Sequence, residues 1–93
     1  MEEKFSLGDI VLSNAGRDSG RHFVVVAVDG IFVYLCDGDL HKMDKPKKKK
    51  IKHIKPTSGK SEYVAAKLLE ESKATNTELR RAISEFEKQY TCE

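Results

Sequence analysis

Between residues 42 and 55 the chain carries eight lysines, Lys42, Lys45, Lys47, Lys48, Lys49, Lys50, Lys52 and Lys55, against one acid, Asp44. Ammonium groups at this density repel one another unless they are fully solvated or face a polyanion. The chemistry on offer is therefore charge-based: salt-sensitive, sequence-independent holding of phosphate oxygens. If about four to six of these lysines touch phosphates, log K against log[salt] slopes by roughly −3 to −5. A second cationic pair, Arg17 and Arg21, sits in the stretch AGRDSGR. Each guanidinium offers a planar fork that meets a phosphate or a base edge through two parallel hydrogen bonds. Gly16 and Gly20 in the same stretch let backbone approach a ligand closely. A charge run can also be a solvated face or a targeting tag, so position and flanks matter. Pro46 on one side and Ile51 and Ile54 on the other favour a folded element.

Other chemistries find less support. His22, His41, His53, Cys36 and Cys92 show neither C-x-x-C nor H-x-x-x-H spacing, which predicts no metal. Asp37 and Asp39 are close in sequence, but in a turn beside lysines they are expected to be solvated. There is no nucleophile motif and no phosphate-cradling loop of the nucleotide-hydrolase kind, so no catalytic residue, cofactor or small-molecule substrate is predicted. No apolar run approaches the ~18 residues a membrane span requires. The acidic start MEEKFSLGD has no apolar signal core. A cytoplasmic location is expected, and in a reducing compartment Cys36 and Cys92 are expected to be free thiols.

Ninety-three residues make one small domain, and 39% hydrophobic against 34% charged residues describes a thin core under a large charged surface. The net charge is only +2, but residues 1–60 balance to +4 and residues 61–93 to −2. The positive charge is local.

The elements that position these residues change period near residue 56. Before it, apolar residues follow a strand pattern. DIVLS (9–13) is a first strand, NAGRDSG (14–20) a turn-rich loop, and HFVVVAV (22–28) a β-branched strand. Asp29-Gly30 then separates that strand from IFVYLC (31–36), a hairpin signal that calls for a primed turn with Gly30 at positive φ. Val24, Val26 and Val28 share one face and Phe23, Val25 and Ala27 the other. Both faces are apolar, as in a sheet that bends over itself into a small barrel. Asp37–Asp39 marks a second turn, and Leu40 to Lys45 a loop. Lys47–Lys52 reads as a strand with Lys48, Lys50 and Lys52 on one face and Lys47, Lys49 and Ile51 on the other. Ile54 returns to the core. Phe32 and Tyr34 are expected to be core aromatics rather than base-stacking platforms.

After Pro56 the period is helical. Val64 with Leu68, and Ala65 with Leu69, give one apolar stripe. Thr75-Asn-Thr-Glu78 has the form of a capping box ahead of a second helix with Leu79, Ile83, Phe86 and Tyr90 at helical spacing. Neither helix is long enough to be stable alone, so a helical hairpin packed on the strands is expected.

LGDIVL (7–12), then AGRDSGR (15–21), then the valine-rich strand, resemble the KOW motif, with Gly20 where its characteristic glycine falls. The basic run before I-K-H-I resembles the KOW-bearing large-subunit ribosomal proteins of archaea and eukaryotes. It resembles still more the small stand-alone KOW proteins of bacteria. His22 and Phe23 stand where many KOW segments have a further glycine, which sets the match nearer the ribosomal than the transcription-elongation branch. The resemblance covers about residues 6–55. It implies an SH3-like β-barrel over residues 1–56; the C-terminal helical hairpin over 57–93 rests on its own helical period, which makes the expected fold mainly β plus α. It implies an RNA-binding module of a ribonucleoprotein, with ribosomal RNA and ribosomal proteins as expected partners, and a place in translation. Shape and backbone recognition is expected, since the chain lacks Trp and an RNP-like aromatic pattern. The competing expectation is a protein-interaction module of the transcription or translation machinery, with the acidic helical tail as docking surface. Salt separates the two, because RNA binding collapses with salt and an apolar peptide groove does not.

Overall fold

The elements form in the order β1 (Asp9–Ser13), β2 (His22–Asp29), β3 (Phe32–Cys36), β4 (Lys47–Lys50), a 3-10 turn (Ile51–His53), β5 (Ile54–Lys60), α1 (Glu62–Glu71) and α2 (Asn76–Thr91). The structure, a computed structural model, describes residues 5–14 and 20–91; the expectations for Gly16, Arg17 and Cys92 lie outside the described residues, as does the Tyr90 side chain. The strands make one five-stranded antiparallel sheet in the order β4-β3-β2-β1-β5. It is not closed: β4 and β5 are its two edges.

The valine-rich β2 sits at the centre because both of its faces can be buried. Val24 and Val26 join Ile10 and Cys36 in a core shared with the helices. Phe23 and Val25 join Val11, Val33, Leu35, Ile54 and Phe5 in a second core on the opposite face. Only one of these faces is covered by helices, so the sheet covers the other by curling. Lys49 on β4 reaches Ser13 on β1, with Nζ 3.1 Å from Oγ, although two strands lie between them in the sheet. The curl has a local cause in β2, where the register slips between Val25 and Ala27. Such a bulge bends a strand and increases its twist. Beyond it Val28 is 45% exposed, so the expected burial of both faces holds only as far as Val26.

The hairpin forms where expected, but one residue along. Asp29 still pairs with Phe32, leaving Gly30 and Ile31 as the two-residue loop. Gly30 has φ +63°, and it alone of those two takes positive φ. That pattern puts the glycine at the first central position, as in a type II′ turn, rather than at the second.

The switch from strand to helix falls at Ser61, not at residue 56. β5 runs through Pro56 and pairs with β1, with Pro56 opposite Val11. Proline lacks a donor and is tolerated because β5 is an edge strand. The slip in register between Asp9 and Val11 is stitched by Thr57, whose hydroxyl donates to the Ile10 carbonyl and accepts from the Gly59 amide. Ser61 then caps α1, accepting from the Val64 amide at 3.2 Å.

The helices bury Val64, Leu68, Leu79, Ala82, Ile83 and Phe86 against the sheet. The stripe on α1 is narrower than expected, since Leu69 is 75% exposed. The capping box of α2 forms as the sequence predicts. Thr75 Oγ1 accepts from the Glu78 amide at 3.1 Å, and Glu78 Oε1 accepts from the Thr75 amide at 2.9 Å. No described helix is long and apolar enough to cross a membrane.

Candidate nucleic-acid interface

Alternation along β4 sorts its lysines. Residues directly opposite in an antiparallel pair share a face. Lys47 and Lys49 pair with Leu35 and Val33, whose side chains lie in the curled core, so these two lysines turn inward and are partly buried. Lys48 and Lys50 pair with Tyr34 and Phe32 and are exposed on the other face. The expected faces therefore hold through Lys50. Lys52 leaves the strand because the chain tightens into the 3-10 turn at Ile51, whose amide donates to the Ile31 carbonyl at 2.8 Å.

Lys49 is engaged internally by the buried Ser13 hydroxyl. Lys42, Lys45, Lys48, Lys50, Lys52 and Lys55 are exposed, and among the described residues no carboxylate lies within ion-pair distance of them. They run from the loop after β3, along the outer edge of the sheet and around the 3-10 turn into β5. A lysine-rich edge strand also has a structural use, since charge on an unpaired edge discourages strand addition by another chain. That use accounts for charge on the edge strands β4 and β5, Lys55 included; it does not account for Lys42, Lys45 and Lys52, which lie in the loop and turn outside those strands.

Arg21 is placed differently from the expectation. Its Nη2 lies 2.8 Å from Asp37 Oδ2, with the arginine side chain 41% and the aspartate 5% exposed. Asp37 is thus not a solvated turn residue. Its other oxygen accepts from the Asp39 amide at 2.9 Å and the His41 amide at 2.8 Å. Burial alone would push the Asp37 carboxyl up. The two amides and the Arg21 guanidinium outweigh it and hold the group below its ordinary value. The signal for this was present in Asp37-Gly38-Asp39, since Asp side chains commonly bond the backbone two residues on. What the spacing could not supply was Arg21 as partner.

The same loop is the seat of α2. Asn76 Oδ1 accepts from the Met43 amide at 2.8 Å, and Arg80 donates to the Gly38 carbonyl. A Cβ on Gly38 would collide with the Asn76 carbonyl oxygen, so only glycine lets the helix approach this closely. A cleft of about 360 Å³ opens here, lined by Arg21, His22, Asp37, Arg80 and Glu87 among others. Arg21 meets Asp37 there, and His22 Nδ1 lies 2.8 Å from Glu87 Oε2. Gly20, at the rim, has φ +90° and nothing within 4 Å of a would-be Cβ, so its part is the backbone turn into β2.

On the helices Lys67 is likewise paired, lying 3.6 Å from Glu71 and 3.7 Å from Glu78. The Tyr63 hydroxyl bonds Glu78 at 2.7 Å and, with the Thr75 amide, holds that carboxyl below its ordinary value. Cys36 is buried, its thiol pushed up to about 12 first by burial and then by Asp37 and Asp44, so it stays protonated and unreactive. Among the described residues no group of three His, Cys, Asp or Glu could hold a metal ion.

No protein-family model matches this chain, and none of the curated proteins matches it.

Proposed function

We propose that this chain is an RNA-binding module that grips phosphate backbone along the segment from Lys42 to Lys55, which runs over edge strand β4 and the 3-10 turn into β5, in the manner of a KOW domain. The observation that carries the reading is the row of exposed lysines, Lys42, Lys45, Lys48, Lys50, Lys52 and Lys55, without carboxylate partners among the described residues. Elsewhere on the described surface Arg21, Lys60, Lys67 and Arg81 each stand beside an acid, and the exposed Lys73 and Lys88, which have none, are isolated rather than in a run. A cationic strip held on a strand and a tight turn keeps its spacing, which suits a regular line of phosphates. The fold reading that accompanies it is an SH3-like barrel. It is supported by the strand order, the 3-10 turn between β4 and β5, and the Lys49–Ser13 contact across the curl. The module binds rather than catalyses, acts in the cytoplasm, and has ribosomal RNA as its partner by analogy with the ribosomal KOW proteins it resembles. Arg21 contributes less to the grip than Lys48 or Lys50, because Asp37 already engages its Nη2.

The test is replacement of Lys48, Lys50, Lys52 and Lys55 by Gln. Affinity for ribosomal RNA fragments, read by filter binding, falls by about 10- to 100-fold. The salt slope becomes shallower by roughly 0.7–0.9 for each phosphate no longer held. The melting temperature stays near wild type, since exposed charges carry small stability terms. Unchanged affinity and slope would remove the strip from the interface. Crosslinking in cells with sequencing of the bound RNA identifies the host, with ribosomal RNA as the dominant species.

A further inference from the structure

The geometry points to a base-stacking position on the sheet, so that the RNA bound at the lysine edge is an unpaired strand rather than a duplex. The inference rests on the RNA-binding reading and adds the form of the ligand.

Phe32 and Tyr34 are on one face of β3, the face that also carries Lys50 and Lys48 of β4 as their direct cross-strand partners. The helices cover only part of this face. Tyr34 packs against the edge of the helix-side core and is held there. Phe32, two residues on toward the hairpin tip, belongs to neither core and is only partly buried. Its ring is open to a charged group from solvent, because Lys48 Nζ sits over it at 4.4 Å from the centroid. The Phe32 ring is thus fixed at its base by the strand, open on a face, and flanked by the two exposed lysines Lys48 and Lys50.

That is the layout of a stacking platform for single-stranded nucleic acid: an aromatic face for a base and cations spaced for the phosphates on either side. A base takes the ring face that Lys48 now covers, and the flexible Lys48 ammonium moves to the adjoining phosphate. A duplex offers no free base face, and side chains do not enter the deep groove of A-form RNA. Asp29, exposed opposite Phe32 at the end of β2, bounds the platform by repelling phosphate, so the strand runs from Phe32 toward Lys48 and not over the hairpin tip.

The experiment compares a 12-nucleotide unstructured RNA of mixed sequence with its fully paired duplex, by fluorescence anisotropy, for the full chain and two variants. The wild type binds the single strand at least 10-fold more tightly than the duplex. Phe32→Leu keeps apolar bulk and loses about 5- to 150-fold on the single strand, the equivalent of about 1–3 kcal/mol for one stacked base, with duplex affinity unchanged. Phe32→Tyr retains single-strand affinity. Should Phe32→Leu fold poorly, the wild type still decides: Phe32 ring protons shift upfield in NMR spectra on adding the single strand and not the duplex. Equal affinity for both RNA forms, or no ring shift, overturns the stacking position and leaves the lysine strip standing. No measurable binding of either RNA overturns both.

Discussion

The lysine edge and the 37–41 loop are both rich in charge and use it in opposite ways. In the loop, Asp37 is 5% exposed and takes two amides and a guanidinium, and α2 is seated on it through Arg80 at Gly38 and through Asn76 at Met43 just beyond. From the loop before β4 through to the start of β5, six lysines stand exposed without acids beside them among the described residues. Charge that holds a fold is buried and matched, because an unmatched buried charge costs several kcal/mol. Charge kept for a partner is left in water, where it costs little and acts over about a Debye length. The contrast separates the residues whose loss unfolds the domain from those whose loss, on the proposed function, leaves it folded and weakens binding.

Replacing Asp37 tests the first class and has the largest effect. Asp37→Ala strands the Arg21 guanidinium and the Asp39 and His41 amides, and lowers stability by roughly 2–4 kcal/mol in urea unfolding. On the proposed function, protein that remains folded binds RNA as wild type does. If Asp37→Ala melts like wild type, the loop is no strut.

Acid sharpens the same point. The folded-state Asp37 carboxyl lies below its ordinary value of 3.8, so its contribution is complete above that pH. It is lost as pH falls below 3.8 through the folded-state value. Stability measured against pH therefore drops more steeply below about pH 4 in wild type than in Asp37→Asn, which has no carboxylate to titrate there.

Gly30→Val comes next, at roughly 1–3 kcal/mol, because a β-branched residue is strained at φ +63° even though the space beside it is open. Its cost appears in the melting temperature. Thr75→Ala removes half of the capping box and costs about 1 kcal/mol, and leaves the proposed RNA affinity untouched. The smallest effect belongs to the exposed pair Arg81–Glu85, 3.8 Å apart on α2. Arg81→Ala changes stability by less than about 0.5 kcal/mol, and a larger change would show that exposed pairing on the helices is structural after all.

Some of this molecule is written in short range. The capping box at Thr75 and Glu78, the Val-rich β2, the glycine after Asp29 and the lysine alternation through Lys50 each depend on neighbours within four residues, whose energies are local. Such features were legible from spacing alone, including the basic strip itself. Spacing misled where a residue's partner is remote. Val28 belongs to the same alternation as Val24 and Val26, but the bulge between Val25 and Ala27 shifts it to the face of its partner Val33, where it is 45% exposed. Leu69 continues the stripe of α1, but the sheet meets only the Val64–Leu68 side. Pro56 reads as a boundary, and only the unpaired outer side of β5 makes it acceptable inside a strand.

The sequence by itself determined a strand-rich half, a helical half and a concentrated positive strip, because hydrophobic period and charge are properties of neighbouring residues. Tertiary structure alone decided that Arg21 serves Asp37, that Lys49 serves Ser13, and that Lys48 and Lys50 stand exposed beside Phe32. The first two pairings span 16 and 36 residues of chain, and they exist only because the curl of the sheet brings distant side chains within hydrogen-bond distance. No local energy distinguishes one lysine of KKKK from the next; the side of the sheet it lands on does.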